Sequence, residues 1–168
     1  MDMCSTKNKP TEAVDHEVRR LKRQGKRIVF TNGCFDLLHA GHVDLFRRAK
    51  TLGDVLVVAI NSNASVRRIK GKGRPILDEK ERAEIIGALE MVDHVFVFGE
   101  DTPLEAILKI RPDVLVKGAD WFKDGIVGQS EVESWGGEVV GLELLDGYST
   151  TGIIQRVLSR FRGKEGSQ

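Results

Sequence analysis

Five short apolar runs alternate with helix-patterned stretches along this 168-residue chain, and that alternation limits the fold more than any other feature. The runs fall at about 27–31, 54–60, 94–98, 113–117 and 138–144. The second is almost continuously apolar, as a strand covered on both faces must be. The intervening stretches carry helical spacing or helix-start signals. Val14, Val18 and Leu21 make one stripe of a first helix at 11–24, closed by Gly25. Asp78 and Glu81 have capping-box spacing. Thr102-Pro103-Leu104-Glu105 offers an N-cap, a proline at the first helical position and a glutamate at the third. Short helices are expected at 62–68 and 130–135, and a last one from the cap Ser149 to about 161. Strands separated by helices pair in parallel with helices on both faces. The expected fold is therefore α/β, a Rossmann-like three-layer sandwich around a five-stranded parallel sheet. Periodicity leaves the strand order open.

Composition narrows the partners. Charged residues make up 30% and hydrophobic residues 40%, and the formal net charge is +1, so no global field is present to hold nucleic acid. No apolar run reaches membrane-spanning length, and Met1 to Pro10 lacks the apolar stretch of a secretory signal. Cys4 and Cys34 are the only cysteines, one in an expected tail and one in a turn, which fits a reducing cytoplasm. Residues 1–10 read as a flexible tail, 11–162 as one domain and 163–168 as a second tail.

The chemistry gathers first at Thr31-Asn32-Gly33-Cys34-Phe35-Asp36-Leu37-Leu38-His39-Ala40-Gly41-His42. This stretch joins the first strand to the next helix. A helix start offers unpaired N–H groups and the positive end of the dipole, which together hold phosphate. His39 and His42, three residues apart, add donors to one face of that start. Taken alone, the pair also reads as one capping and one exposed histidine, or as half of a zinc site for which no third ligand is evident. The other suspicious segments follow later strands, and in open sheets ligands bind at those carboxyl ends, where the strand order reverses.

This segment resembles the nucleotidyltransferase superfamily that carries His-x-Gly-His, and Gly33, Phe35 and Asp36 match its cytidylyltransferase-like branch. Asn61-Ser62, Lys70-Gly71 with Arg74-Pro75, Leu115 to Asp120 and Asp146 to Thr151 extend the likeness toward the heptose 1-phosphate adenylyltransferases. The resemblance covers roughly residues 27–158. It implies strand order 3-2-1-4-5, a reaction of ATP with D-glycero-β-D-manno-heptose 1-phosphate giving ADP-heptose and pyrophosphate, and Mg²⁺ accompanying ATP with no direct protein ligand. It also implies a homodimer, while charge, apolar run length and cysteine usage give the expectation of a cytoplasmic chain that contacts neither membrane nor nucleic acid. Members are often fused to a sugar kinase, so this chain is expected to depend on a separate kinase upstream. The alternatives are a cytidylyltransferase acting on glycerol 3-phosphate or a related phospho-alcohol, and a nucleotide-binding module without turnover. Leu144 and Leu145 stand where the glycerol-phosphate enzymes carry an arginine, which weakens the first of these.

The resemblance assigns His39, His42 and Lys70 to catalysis, through charge on the triphosphate. It places Thr31, Asn32, Gly33, Phe35, Asp36, Gly41, Lys117, Gly118, Ser149, Thr150 and Thr151 around the nucleotide, and Asn61, Lys72, Arg74, Asp120 and Trp121 near the acceptor. The residue types carry plainer readings as well. Gly33 and Gly41 suit close backbone approach by a phosphate, or ordinary turn geometry. Asp36 reads better as an acceptor of backbone N–H groups than as a ligand, because a carboxylate repels a triphosphate. Ser149 is also an ordinary helix cap. The cationic stretch from Arg67 to Arg74 reads as a mobile loop closing over pyrophosphate or as a solvated surface. Lys117 ends an apolar strand, a place a lysine takes when it meets an anion or a solvent channel. Arg82 could touch phosphate or pair with Asp78 or Glu79 on its own helix. Trp121 walls a sugar pocket or packs under a loop.

Overall fold

The computed structural model describes residues 7–118 and 125–162. The strands are β1 (Ile28–Gly33), β2 (Val55–Asn61), β3 (His94–Phe98), β4 (Val114–Gly118) and β5 (Glu138–Leu142). The helices are α1 (Thr11–Arg23), α2 (Ala40–Lys50), α3 (Asn63–Lys70), α4 (Glu79–Gly87), α5 (Leu104–Ile110), α6 (Gln129–Ser134) and α7 (Thr150–Arg162). All strand pairs are parallel, and the order is β3-β2-β1-β4-β5. This is the order that the resemblance implies. The chain leaves β1 toward β2 on one side and returns past it to β4 on the other, so the order reverses between β1 and β4.

The sheet is buried on both faces, and alternate residues feed two separate cores. Ile28, Phe30, Val57 and Ala59 meet Val14 and Val18 of α1 and Ile107 and Ile110 of α5. Val29, Leu56, Val58 and Ile60 meet Phe46 of α2 and Ala83 and Ile86 of α4. Carboxylates pin the amino ends of the strands. The Ile28 N–H donates to Asp113 at 2.7 Å, the Leu56 N–H to Asp93 at 2.6 Å and the Arg27 N–H to Asp54 at 2.8 Å. The opposite, carboxyl edge of the sheet is left for the site.

Several boundaries differ from the sequence reading. Residues 7–9, expected in a tail, pair with the free edge of β3: the Lys9 N–H donates to the Val95 carbonyl at 3.1 Å, and the Val95 N–H to that of Lys7 at 2.9 Å. An exposed edge is an aggregation hazard, and this pairing covers it. β1 extends to Gly33 because its hydrogen-bond partners on β2 continue to Ile60. α3 continues to Lys70, so half of the expected cationic loop is helical. Pro103, expected inside α5, caps it from outside. The Asp78–Glu81 capping box forms as expected. α7 leaves Val157, Leu158 and Phe161 exposed along one side.

Candidate active site

A cleft of ≈ 440 Å³ opens over the carboxyl ends of the strands at the β1–β4 reversal. Its floor includes Thr31, Asn32 and Gly33 of β1, Asn61 of β2, and Lys117 and Gly118 of β4. The amino-terminal ends of α2 and α7 face it through His39, Gly41, His42 and through Ser149, Thr150, Thr151. Two helix dipoles therefore converge on one space, an arrangement suited to an extended polyanion.

The histidines share that space. Their rings stack with centroids 3.7 Å apart and planes 23° off parallel. His39 is the N-cap of α2, with extended backbone, and its carbonyl accepts the N–H groups of His42 and Val43. Both Nδ1 atoms are buried and have no hydrogen-bond partner among the described residues. Burial pulls both rings below the ordinary histidine pKa, and with the neighbouring His39 it takes His42 down to about 3. Both are neutral imidazoles at pH 7, and each carries one N–H donor. Phe35 supports them from below. Its backbone lies in the left-handed region at φ 44°, and its ring meets His42 edge-on at 5.2 Å and Phe46 at 4.9 Å. A non-glycine residue held there marks strain retained at a site.

The two glycines of the turn are small for a reason that the sequence did not disclose. A Cβ on Gly33 would lie 3.0 Å from the Phe35 ring, and one on Gly41 would lie 3.1 Å from the His39 ring. Both make room for the protein's own aromatic stack, whatever else approaches the turn.

Asp36 does accept backbone N–H groups, but from a segment forty residues away. Its carboxylate takes the N–H of Ile76 at 2.8 Å, the N–H of Leu77 at 2.9 Å and Nε of Arg74 at 2.5 Å. Burial pushes its pKa up, yet these donors outweigh burial and hold it below the ordinary value. With its oxygens so committed, Asp36 braces the turn; the contact with nucleotide that the resemblance assigns to it does not fit this bonding. Arg82 is the second brace. It is 1% exposed. It donates to the carbonyls of Leu77, Cys34 and Asn61 and to Oδ1 of Asn63. Neither sequence reading of Arg82 holds: it is not in the cleft lining, and among the described residues its hydrogen bonds go to these carbonyls and to Asn63, with no ion pair to Asp78 or Glu79, which act on it only at a distance.

Other assigned residues divide similarly. Lys117 is buried and donates to Oδ1 of Asn32, and burial lowers its pKa to about 8. The Thr31 hydroxyl is spent on the Val116 carbonyl at 3.1 Å, so it is no donor to a ligand. The Asn61 side chain donates to Ser65 at 3.0 Å. Ser149 caps α7, accepting the Gly152 N–H at 3.0 Å. Lys70 and Arg74 line the cleft, whereas Lys72 is exposed on the α3–α4 connection and is not part of the lining. Asp120 and Trp121 lie outside the described residues. Ile126, Val127 and Leu144 form an apolar wall, and Asp101, Thr102 and Pro103 also line the cleft. The sequence reading missed both groups, since neither carries a motif.

Comparison with known proteins agrees with this geometry. The profile of the cytidylyltransferase-like family matches residues 30–156. The chain is 57% identical over 140 residues to the bifunctional protein HldE of Pelobacter propionicus, covering 83% of this chain and 29% of that protein. It is 49% identical over 156 residues to HldE of Citrifermentans bemidjiense, covering 93% and 32%. It thus spans about a third or less of the length of these relatives. A crystal structure of a lipopolysaccharide core biosynthesis protein from Thermoplasma volcanium superposes with a TM-score of 0.63 at 32% identity, covering 73% of this chain and 100% of that one. The chain belongs to the cytidylyltransferase-like family of nucleotidyltransferases.

Proposed function

We propose that this chain transfers the adenylyl group of ATP to D-glycero-β-D-manno-heptose 1-phosphate, giving ADP-heptose and pyrophosphate for a cell-surface glycan such as lipopolysaccharide. The observation that carries the transfer reaction is the stacked His39–His42 pair at the α2 terminus, facing the α7 terminus across one cleft. The acceptor rests on the names of the relatives, which are bifunctional HldE proteins and a lipopolysaccharide core biosynthesis protein.

In this reading an oxygen of the sugar phosphate attacks the α-phosphorus of ATP, and the bond from that phosphorus to the bridging oxygen breaks. Pyrophosphate leaves with the bond's electron pair. No proton needs to leave an ionised phosphate nucleophile, so the protein's task is positioning and charge stabilisation. The neutral imidazoles of His39 and His42 donate to phosphate oxygens, and fixed donors cost no reorganisation as charge develops. Lys70 and the first amides of α7 act on the same charge. Mg²⁺, when bound with ATP, screens the triphosphate. The cleft carboxylates among the described residues are Asp36, committed to three donors, and Asp101, paired with Arg68 at 2.5 Å. That donor set fits a metal held by phosphate and water rather than by this chain.

The exposed side of α7 supports the homodimer, through Val157, Leu158 and Phe161. No helix among the described residues is long and apolar enough to cross a membrane, and dependence on ATP suits the cytoplasm. The word bifunctional in the relatives' names suits a second activity outside the matched stretch. In this reading it is the kinase that supplies the sugar 1-phosphate. The deciding assay gives the protein Mg²⁺ with ATP or CTP, and heptose 1-phosphate or glycerol 3-phosphate. Pyrophosphate release with ATP and the heptose alone is expected. Turnover of CTP with glycerol phosphate would replace this reading with the cytidylyl one, and binding of ATP without turnover would make the chain a nucleotide sensor.

A further inference from the structure

The order β3-β2-β1-β4-β5 divides the cleft into two halves of different chemistry. Over β4 and β5 the wall is apolar, and Val127 and Leu144 are 41% and 40% exposed. Flat apolar surface beside a helix terminus suits the base and ribose of a nucleotide. Over β2 and β3 the lining changes to Lys70, Arg74, Asp101 and Thr102.

We infer that Asp101 and Thr102, on the β3–α5 connection, form the subsite that binds the hydroxyl groups of a polyhydroxylated phosphate acceptor. The inference rests on the nucleotidyltransferase reading above and adds specificity residues to it. A carboxylate beside an anion subsite is repulsive unless neutralised or hydrogen-bonded. Arg68 supplies the neutralisation: its Nε meets Asp101 Oδ1 at 2.5 Å, and its Nη2 donates to the Gly99 carbonyl at 2.6 Å. That guanidinium fixes the direction of the carboxylate. Oδ2 of Asp101 has no protein partner among the described residues, and together with the Thr102 hydroxyl it offers acceptors and a donor to neighbouring hydroxyls. A cationic alcohol such as phosphocholine fits this rim poorly. The Asp101–Arg68 pair is neutral, and among the described residues the aromatics lining the cleft, Phe35 and Tyr148, belong to the turn and to the segment before α7.

The test uses Asp101→Asn and Thr102→Val in the full chain. Both positions are exposed, so neither change threatens the core. Steady-state kinetics with heptose 1-phosphate should show KM for the sugar phosphate raised about tenfold in each, as loss of a hydrogen bond to a charged or well-placed group predicts, with KM for ATP within about twofold. Calorimetric titration of the sugar phosphate should show the same loss of affinity and does not depend on turnover. Absence of turnover in the parent would defeat the adenylyl-transfer reading, and calorimetry would still judge the subsite. Unchanged sugar-phosphate affinity in both variants, no binding to the parent, or preferred turnover of phosphocholine would overturn the inference.

Discussion

Lys117 donates to Asn32 across the seam where β4 meets β1, and no carboxylate stands within ion-pairing distance of its ammonium group among the described residues. A buried cation whose protein partner is an amide oxygen is costly in the empty cleft and is balanced when an anion arrives. Burial depresses its pKa from 10.5 to about 8. The unfolded chain therefore binds more protons than the folded one between these values, and this site's contribution makes stability rise as pH climbs from about 8 toward 10.5. At pH 7 the charged lysine is a net cost. Lys117→Met should hold or raise the melting temperature at pH 7 while weakening ATP or acceptor binding. A thermal melt paired with calorimetry checks both, and a destabilised variant with full affinity would contradict this account.

The histidines make a different prediction. His42→Ala should lower kcat by about 10²- to 10³-fold, the range seen when a preorganised donor to a developing oxyanion is removed. The double variant with His39→Ala should lose less than the product of the two single losses, because the rings act as one stacked unit. With burial holding His42 near 3, its ring should not titrate between pH 5 and 8 in the free protein. The sign for stability is opposite in sense to a salt-bridged histidine. The unfolded state gains the proton first, so stability from this site falls as pH drops from 6.5 toward 3. Imidazole resonances followed by NMR across that range test the titration directly.

Arg82 carries the largest predicted stability loss. It links α4 to the motif turn, the end of β2 and the α3–α4 connection through four hydrogen bonds. Burial lowers its pKa, with Asp36 opposing. Arg82→Met should cost about 3 kcal/mol or more, since buried carbonyls lose their donors. Arg82→Lys should recover only part, because an ammonium cannot reproduce the fork. Urea unfolding of both variants measures the gap.

The layered sheet and its caps were legible in the sequence because they depend on local spacing. The all-apolar run at β2, the Asp78 capping box and the Ser149 cap are written within a few residues of where they act. The strand order came from resemblance, since crossover direction leaves no local trace. The meeting of His39 and His42 was legible as two residues on one helix turn. What stayed hidden is long-range. Nothing near Asp36 signals Ile76 and Leu77, and nothing near Arg82 signals Cys34. The apolar wall of Ile126, Val127 and Leu144 uses residue types that are ordinary in any core, and only the fold leaves them facing a cleft.

Gly41 sets two effects against each other. It lies in the first turn of α2, where alanine is favoured over glycine by about 0.5–1 kcal/mol. On propensity alone Gly41→Ala stabilises the helix. The added Cβ, however, would stand 3.1 Å from Nδ1 and Cε1 of His39 and 3.2 Å from Cβ of Tyr148. The imidazole can swing away more readily than the backbone can move, so strain relief should come by displacing His39 from its stack on His42. Global stability should then change by less than about 1 kcal/mol, the two contributions being of similar size. Activity should fall at least about tenfold, because a displacement near 1 Å in a positioned group is enough for that. Unfolding curves and kcat measured on the same preparation separate the two. Full activity in Gly41→Ala would mean that the position of the His39 ring does not matter to the reaction.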